Sequence, residues 1–177
     1  MTKDLAEMTH DIYIALGTNL GDRLANLTRA LRSLPPHFER VRPSRVFETP
    51  PWGFADQPAF LNMAVHARTS LSPSESLARL KQLEAELGRE QTFRWGPRLI
   101  DLDILFYDDL ILDSPPLVIP HPRLHERAFV LVPLMDIAPD LVHPVFGKSV
   151  RQLLTAVNPS GITLFDGQIQ TTVMPKS

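Results

Sequence analysis

The chain contains no cysteine. Disulfides and cysteine-based metal sites are therefore excluded, and the composition suits a reducing compartment such as the cytoplasm. It has no excess of charge of either sign. Eighteen Lys and Arg stand against twenty Asp and Glu, a net charge of -2. No global basic field points to nucleic acid or to an acidic membrane surface. No apolar run approaches the roughly 20 residues that span a bilayer. The opening segment MTKDLAEMTH lacks the apolar stretch of a secretion signal and reads, over 1–10, as a flexible leader. What the chain has in abundance is proline, 17 of 177 residues. The prolines gather at 35–36, 50–51, 115–116, and 120 and 122, which predicts stiff, shaped connections. The length suits one compact domain, expected over 11–158, and a hydrophobic content of 44% suffices for its core.

Hydrophobic spacing orders the elements. Ile12, Ile14 and Leu16 alternate with Tyr13 and Ala15, the pattern of a strand, which Gly17 ends. Leu24, Leu27, Leu31 and Leu34 recur at helical spacing, so 22–34 reads as an amphipathic helix stopped by Pro35 and Pro36. Residues 41–48 and 60–68 read as a second and a third strand. Ser72-Pro73-Ser74-Glu75 has the form of a capping box with proline at the first helical position, and Gly88 stops the helix that follows. Ile100, Leu102, Ile104 and Phe106 alternate with Asp101, Asp103, Leu105 and Tyr107 in a fourth strand. Strand, helix, strand, strand, helix, strand is the ferredoxin-like βαββαβ order. It predicts an α+β fold, with an antiparallel sheet carrying both helices on one face. Residues 120–156 read as additional, mainly helical structure, with Ser149 and Gln152 as a second capping box. The tail 159–177 allows a hairpin around Asp166-Gly167.

The segment RWGPRLIDLD, 94–103, concentrates chemistry. Asp101 and Asp103 lie two apart on a strand and so share a face. Carboxylates so placed can hold magnesium, which takes its other ligands from water and phosphate. Alone, the pair is better explained as the solvated polar face of an edge strand. Arg89, Arg94 and Arg98 just upstream add planar, permanently charged donors that suit phosphate oxygens, with Trp95 between two of them. His121, stiffened between two prolines, and Arg127 can join them, although such a histidine is more often an ordinary loop residue. The stretch TPPWGFADQPAFLN, 49–62, is far longer than a hairpin needs and rich in proline and aromatics. It can form a flat apolar slot for a heterocycle, with the amide of Asn62 to read its edge, or equally a satellite hydrophobic cluster. GTNLGDR, 17–23, reads as a tight turn and helix cap rather than a phosphate loop, since it lacks the required lysine.

Together these segments resemble one family, the 6-hydroxymethyl-7,8-dihydropterin pyrophosphokinases of folate biosynthesis. The resemblance runs from YIALGTNLGDR through ETPPWGFADQPAFLN and LGREQTFRWGPRLIDLDILFY to IPHPRLHERAFVLVPLMDIAPDLVHP. It implies transfer of diphosphate from ATP to the hydroxymethyl group of the pterin, with release of AMP. It implies two magnesium ions on Asp101 and Asp103, and a phosphate path lined by Arg89, Arg94, Arg98, His121 and Arg127. Glu84 and Ile104 would belong to the nucleotide site. Phe60 and Phe129 would sandwich the pterin, and Thr49, Pro50, Trp52 and Asn62 would read its edge. Trp95 would lie on a loop that closes over both substrates. Two positions depart from the family pattern. Gln91 replaces an arginine found in many members, and Phe60 replaces a tyrosine found in some. The expected partners are these two small molecules, with no nucleic acid and no membrane, and the expected state is a monomer in the cytoplasm. Two rival classes remain: an RNA-binding module on the same type of sheet, and a metal-dependent transferase for another nucleotide.

Overall fold

The computed structural model describes residues 8–51, 56–88 and 99–167. Strand β1 (His10–Thr18) lies in the interior of the sheet, with Ile12, Ile14 and Leu16 fully buried. Helix α1 (Arg23–Ser33) follows, capped by Asp22, whose carboxylate accepts from the N–H of Ala25 at 3.1 Å. Strands β2 (Glu39–Pro43), β3 (Phe47–Thr49) and β4 (Phe60–Thr69) come next. Helix α2 (Pro73–Glu86) then leads to β5 (Asp101–Tyr107). The Ser72–Glu75 capping box is formed in both directions. Across the sheet the order is β5-β1-β4-β3, with β2 also on β4 and every pairing antiparallel. This is the ferredoxin-like arrangement, reached because each helical crossover skips one strand position.

The sheet is covered on both faces. Leu27 and Leu31 of α1 and Leu80 and Leu83 of α2 pack on Ile12, Ile14, Leu16, Leu102 and Ile104. The other face carries α3 (Ala128–Ile137) and α4 (Val150–Leu154), whose Val130, Leu131, Leu134, Val150 and Leu153 pack on Ala64, Leu105 and Phe106. The N-terminus of α4 carries the expected Ser149–Gln152 capping box. Truncating a fully buried isoleucine such as Ile14 to alanine would cost about 2–5 kcal/mol.

Four expectations need correction or sharpening. The strand expected over 41–48 is broken into β2 and β3. Pro43 has no N–H to donate, and at the break the Ser44 hydroxyl accepts from the N–H of Ala64 at 2.9 Å, taking the place of a ladder carbonyl. Strict alternation in the fourth strand also fails. Ile14 faces Ile104 and Tyr13 faces Phe106, so Leu105 is an extra residue, a β-bulge. Leu105 and Phe106 therefore both lie on the α3 face, and Tyr107 crosses to the α1–α2 side. The region 120–156 is less helical than expected. Apart from α3, α4 and a 3₁₀ turn (Leu124–Glu126) it is loop, since Pro139, Pro144 and Gly147 (φ 65°) interrupt it. In the tail, β8 (Thr163–Leu164) pairs with β3 at the sheet edge, and the far half of the expected hairpin lies outside the described residues. A small hairpin of β6 (Leu112–Ser114) and β7 (Leu117–Ile119) precedes the 3₁₀ turn.

Candidate active site

Asp101 stands opposite Gly17 and Asp103 opposite Ala15 across the β1–β5 ladder. Both are half-buried on the α3 face, whereas their neighbours Leu102 and Ile104 are buried in the α1–α2 core. The bulge lies beyond Asp103, so the two carboxylates keep the period of two and share a face. The backbone between them is held from α2. Glu84, only 2% exposed, accepts from the N–H of Leu102 at 2.9 Å and from the Lys81 ammonium at 3.4 Å. A sheet-edge N–H is thereby satisfied by a side chain instead of another strand.

The bulge also positions the histidine. The N–H of His121 donates to the carbonyl of Leu105 at 3.0 Å. Its Nδ1 accepts from the N–H of Arg123 at 3.2 Å, so the neutral ring carries its proton on Nε2. Burial pushes the His121 pKa down and Asp103 opposes that, while Arg127 and Arg123 depress it further. Burial likewise lowers the pKa of Arg127, with Arg123 adding to the effect and Asp103, Glu126 and Asp101 opposing it. Asp103 thus acts electrostatically on both His121 and Arg127, and Asp101 on Arg127. The Arg127 guanidinium lies 5.5 Å from the centroid of the Phe129 ring, on the first turn of α3.

A second polar group lies across β1. Thr49 is buried at the end of β3, and the Asn62 amide donates to its hydroxyl at 2.7 Å. Asn62 stands opposite Gly17 on the β4 side, as Asp101 does on the β5 side. Phe60 is half-buried beside it on the same face, and Pro50 is exposed. The loop before Phe60 is clamped by the 17–23 turn. Asn19, 1% exposed, donates to the Gln57 side chain at 2.9 Å and to the carbonyl of Pro58 at 3.0 Å. Arg23 donates to the carbonyl of Ala59 at 3.0 Å and pairs with Glu48 at 2.8 Å. The turn is a helix cap, as expected, but it also anchors the segment 57–59 that leads into β4.

Of the residues expected in the site, Asp101, Asp103, His121 and Arg127 form one group, and Thr49, Phe60 and Asn62 another on the same face. Phe129 packs on that face as well. Glu84 reaches the site from beneath, through the backbone. Ile104 points its side chain into the core, so any contact with a nucleotide would come from its main chain. Arg89, Arg94, Trp95, Arg98, Trp52 and Gln91 lie outside the described residues. Gly17, Asn19 and Arg123 escaped the reading of the sequence. Gly17 does not end the strand as expected: β1 runs on to Thr18, and a glycine inside a strand marks close approach of another group.

The donor set fits magnesium. Asp101 and Asp103 offer only oxygen, and among the described residues they join no cluster of three metal-ligating side chains. Magnesium characteristically takes one or two carboxylates and leaves its remaining positions to water and phosphate.

The family model of the 7,8-dihydro-6-hydroxymethylpterin-pyrophosphokinases (HPPK) matches residues 13–139. The chain belongs to this family. The 2-amino-4-hydroxy-6-hydroxymethyldihydropteridine pyrophosphokinase of Methylorubrum extorquens is 47% identical over 152 residues, 85% of this chain and 95% of that one. Its Aquifex aeolicus counterpart is 41% identical over 141 residues, 80% and 88% of the two chains. The HPPK segment also occurs within longer proteins. The mitochondrial folate synthesis bifunctional protein of Arabidopsis thaliana is 46% identical over 162 residues, which are 91% of this chain and 29% of that one. Among solved structures, wild-type Plasmodium falciparum HPPK-DHPS with pteroate shares the fold at a TM-score of 0.68 and 18% identity. The match covers 84% of this chain and 42% of that one, so this chain spans less than half of that protein.

Proposed function

We propose that the Asp101–Asp103 pair and the Thr49–Asn62 pair are the two halves of one site for the HPPK reaction. That reaction moves diphosphate from ATP to the hydroxymethyl group of 6-hydroxymethyl-7,8-dihydropterin in folate synthesis, leaving AMP. The observation that carries the reading is the register at Gly17, where Asp101 stands on one side and Asn62 on the other, on a single face of the sheet. An acidic pair suited to a metal-bound triphosphate thus adjoins an amide suited to a heterocycle edge.

Asp101 and Asp103 would hold magnesium, two ions in the full site, which supplies charge neutralisation on the phosphates when bound. Arg127, and His121 through its Nε2 proton, donate to phosphate oxygens. Arg89, Arg94 and Arg98 complete the cationic path. Thr49 orients the Asn62 amide, which reads the pterin edge together with Pro50 and Trp52. Phe60 and Phe129 supply stacking surfaces, and Trp95 covers the pair of substrates. Glu84 and the main chain at Ile104 serve the nucleotide side. Catalysis on this arrangement is positioning plus charge stabilisation, because phosphoryl transfer needs little covalent help from the protein.

We further propose a single catalytic domain over 11–158, working as a monomer in the cytoplasm. Two packing clusters sharing one sheet support the single domain. No helix among the described residues is long and apolar enough to cross a membrane. The decisive assay follows AMP from ATP and magnesium with and without the hydroxymethyl pterin. Release that depends on the pterin supports the proposal. Release without it, or none under any condition, refutes it.

A further inference from the structure

Gly17 is not glycine for conformational reasons. It lies within regular antiparallel pairing on both sides, and its φ is not in the left-handed region. What it provides is space. A Cβ on Gly17 would sit 2.7 Å from Oδ1 of Asn62, while its next neighbours, Asn62 Cγ at 3.8 Å and Phe60 Cδ1 at 3.9 Å, are in ordinary contact. Across an antiparallel pair, directly opposite side chains compete for the same volume. Here the strand partner of Gly17 uses both shares. Asn62 donates through Nδ2 to Thr49 on one side and turns Oδ1 over the bare glycine on the other.

We propose that Gly17 is a specificity-determining positioning residue. By lacking a side chain it fixes the direction of the Asn62 carbonyl oxygen, so that this oxygen faces the substrate as an acceptor for a ring or exocyclic N–H of the pterin. The inference rests on the assignment of Asn62 to the pterin site. Any side chain at Gly17 pushes the amide aside, strains its bond to Thr49 and misdirects the acceptor. The nucleotide half, built on the β5 side, does not need this gap.

The test is a double-variant cycle of Gly17→Ala and Asn62→Ala. It reads the Kd of the pterin and of a non-hydrolysable ATP analogue by titration calorimetry, with circular dichroism as a fold control. Asn62→Ala alone should weaken the pterin about tenfold, the loss of one well-placed hydrogen bond at a desolvated site. Gly17→Ala alone should weaken it by a similar factor and leave the ATP analogue within about twofold. In the Asn62→Ala background, where the clashing oxygen is gone, Gly17→Ala should cost less than about twofold. If Asn62→Ala leaves pterin binding unchanged, the assignment of the site falls and this proposal with it. If Asn62→Ala weakens the pterin but Gly17→Ala does not, only the role of Gly17 falls. The same holds if the Gly17→Ala loss persists undiminished in the Asn62→Ala background, or if the ATP analogue is lost equally. Should Gly17→Ala not fold by itself, the double variant must fold and bind the pterin as Asn62→Ala does. A double variant that also fails to fold overturns the proposal.

Discussion

Glu84 allows the link from packing to chemistry to be measured. Its carboxylate is nearly inaccessible, and Oε1 accepts from the N–H of Leu102, the residue between the two candidate magnesium ligands. Replacing Glu84 by alanine leaves that buried N–H without its acceptor, and a hydrogen bond to a charged group contributes about 1.5–3 kcal/mol. The cavity left behind adds to the loss, so Glu84→Ala should destabilise the chain by about 2–4 kcal/mol. With a urea slope of about 2 kcal/mol/M, the unfolding midpoint should fall by about 1–2 M. Glu84→Gln retains an oxygen acceptor and should cost about 1 kcal/mol or less. The functional consequence follows from the strand. Slack at Leu102 moves Asp101 and Asp103 together, and a misplacement of about 1 Å can cost roughly a hundredfold in rate. Glu84→Ala should therefore raise the magnesium concentration needed for half-maximal AMP release, and Glu84→Gln should restore most of it. Urea unfolding followed by circular dichroism, with magnesium titrations of turnover, measures both. Equal stability and equal magnesium dependence of the two variants would refute the reasoning. If Glu84→Gln raised the KM for ATP as much as Glu84→Ala, direct nucleotide contact would replace the backbone tie as the explanation.

Asp103→Ala should lower AMP production by about a thousandfold or more while changing pterin affinity less than about threefold, read by product chromatography and calorimetry. Thr49→Val removes the acceptor for the Asn62 amide and should raise the KM for pterin about fivefold to tenfold, with the KM for ATP unmoved in steady-state assays. Tyr107 concerns stability and pH. Burial, with Asp108 and Glu75, pushes its pKa up from 10.0 to about 12, and its hydroxyl donates to the carbonyl of Leu71 at 2.6 Å. Because the folded pKa lies above the unfolded one, this contribution is complete below pH 10 and disappears as pH rises from about 10 through 12. The stability advantage of the wild type over Tyr107→Phe should shrink across this range in denaturant titrations.

The parts of this molecule that were legible in the sequence are those written in short-range patterns. Period-two alternation located β1 and β4. The Ser72–Glu75 and Ser149–Gln152 boxes marked helix starts because their hydrogen bonds span three residues. The shared face of Asp101 and Asp103 was legible for the same reason, since nothing irregular intervenes between them. Interactions between distant segments were not legible. Glu84 with Leu102, Asn19 with Pro58 and Ser44 with Ala64 are side-chain-to-backbone bonds whose partners lie 18 to 39 residues apart. No local periodicity encodes such pairs, and each involves a polar group that the surroundings bury.

The bulge at Leu105 joins these two cases. It arises from the pairing of β5 with β1, so the alternation of Ile100 through Phe106 cannot announce it. Its position along the strand is nevertheless what the site depends on. An extra residue at Leu102 would have sent Asp101 and Asp103 to opposite faces and divided the acidic pair. Placed after Asp103, it leaves the pair intact and turns Leu105 and Phe106 onto the same face in succession. The carbonyl of Leu105 then accepts the N–H of His121. The irregularity that defeats the period-two reading of this strand therefore ties the histidine loop to β5 two residues beyond Asp103, where both His121 and Arg127 feel the charge of that carboxylate.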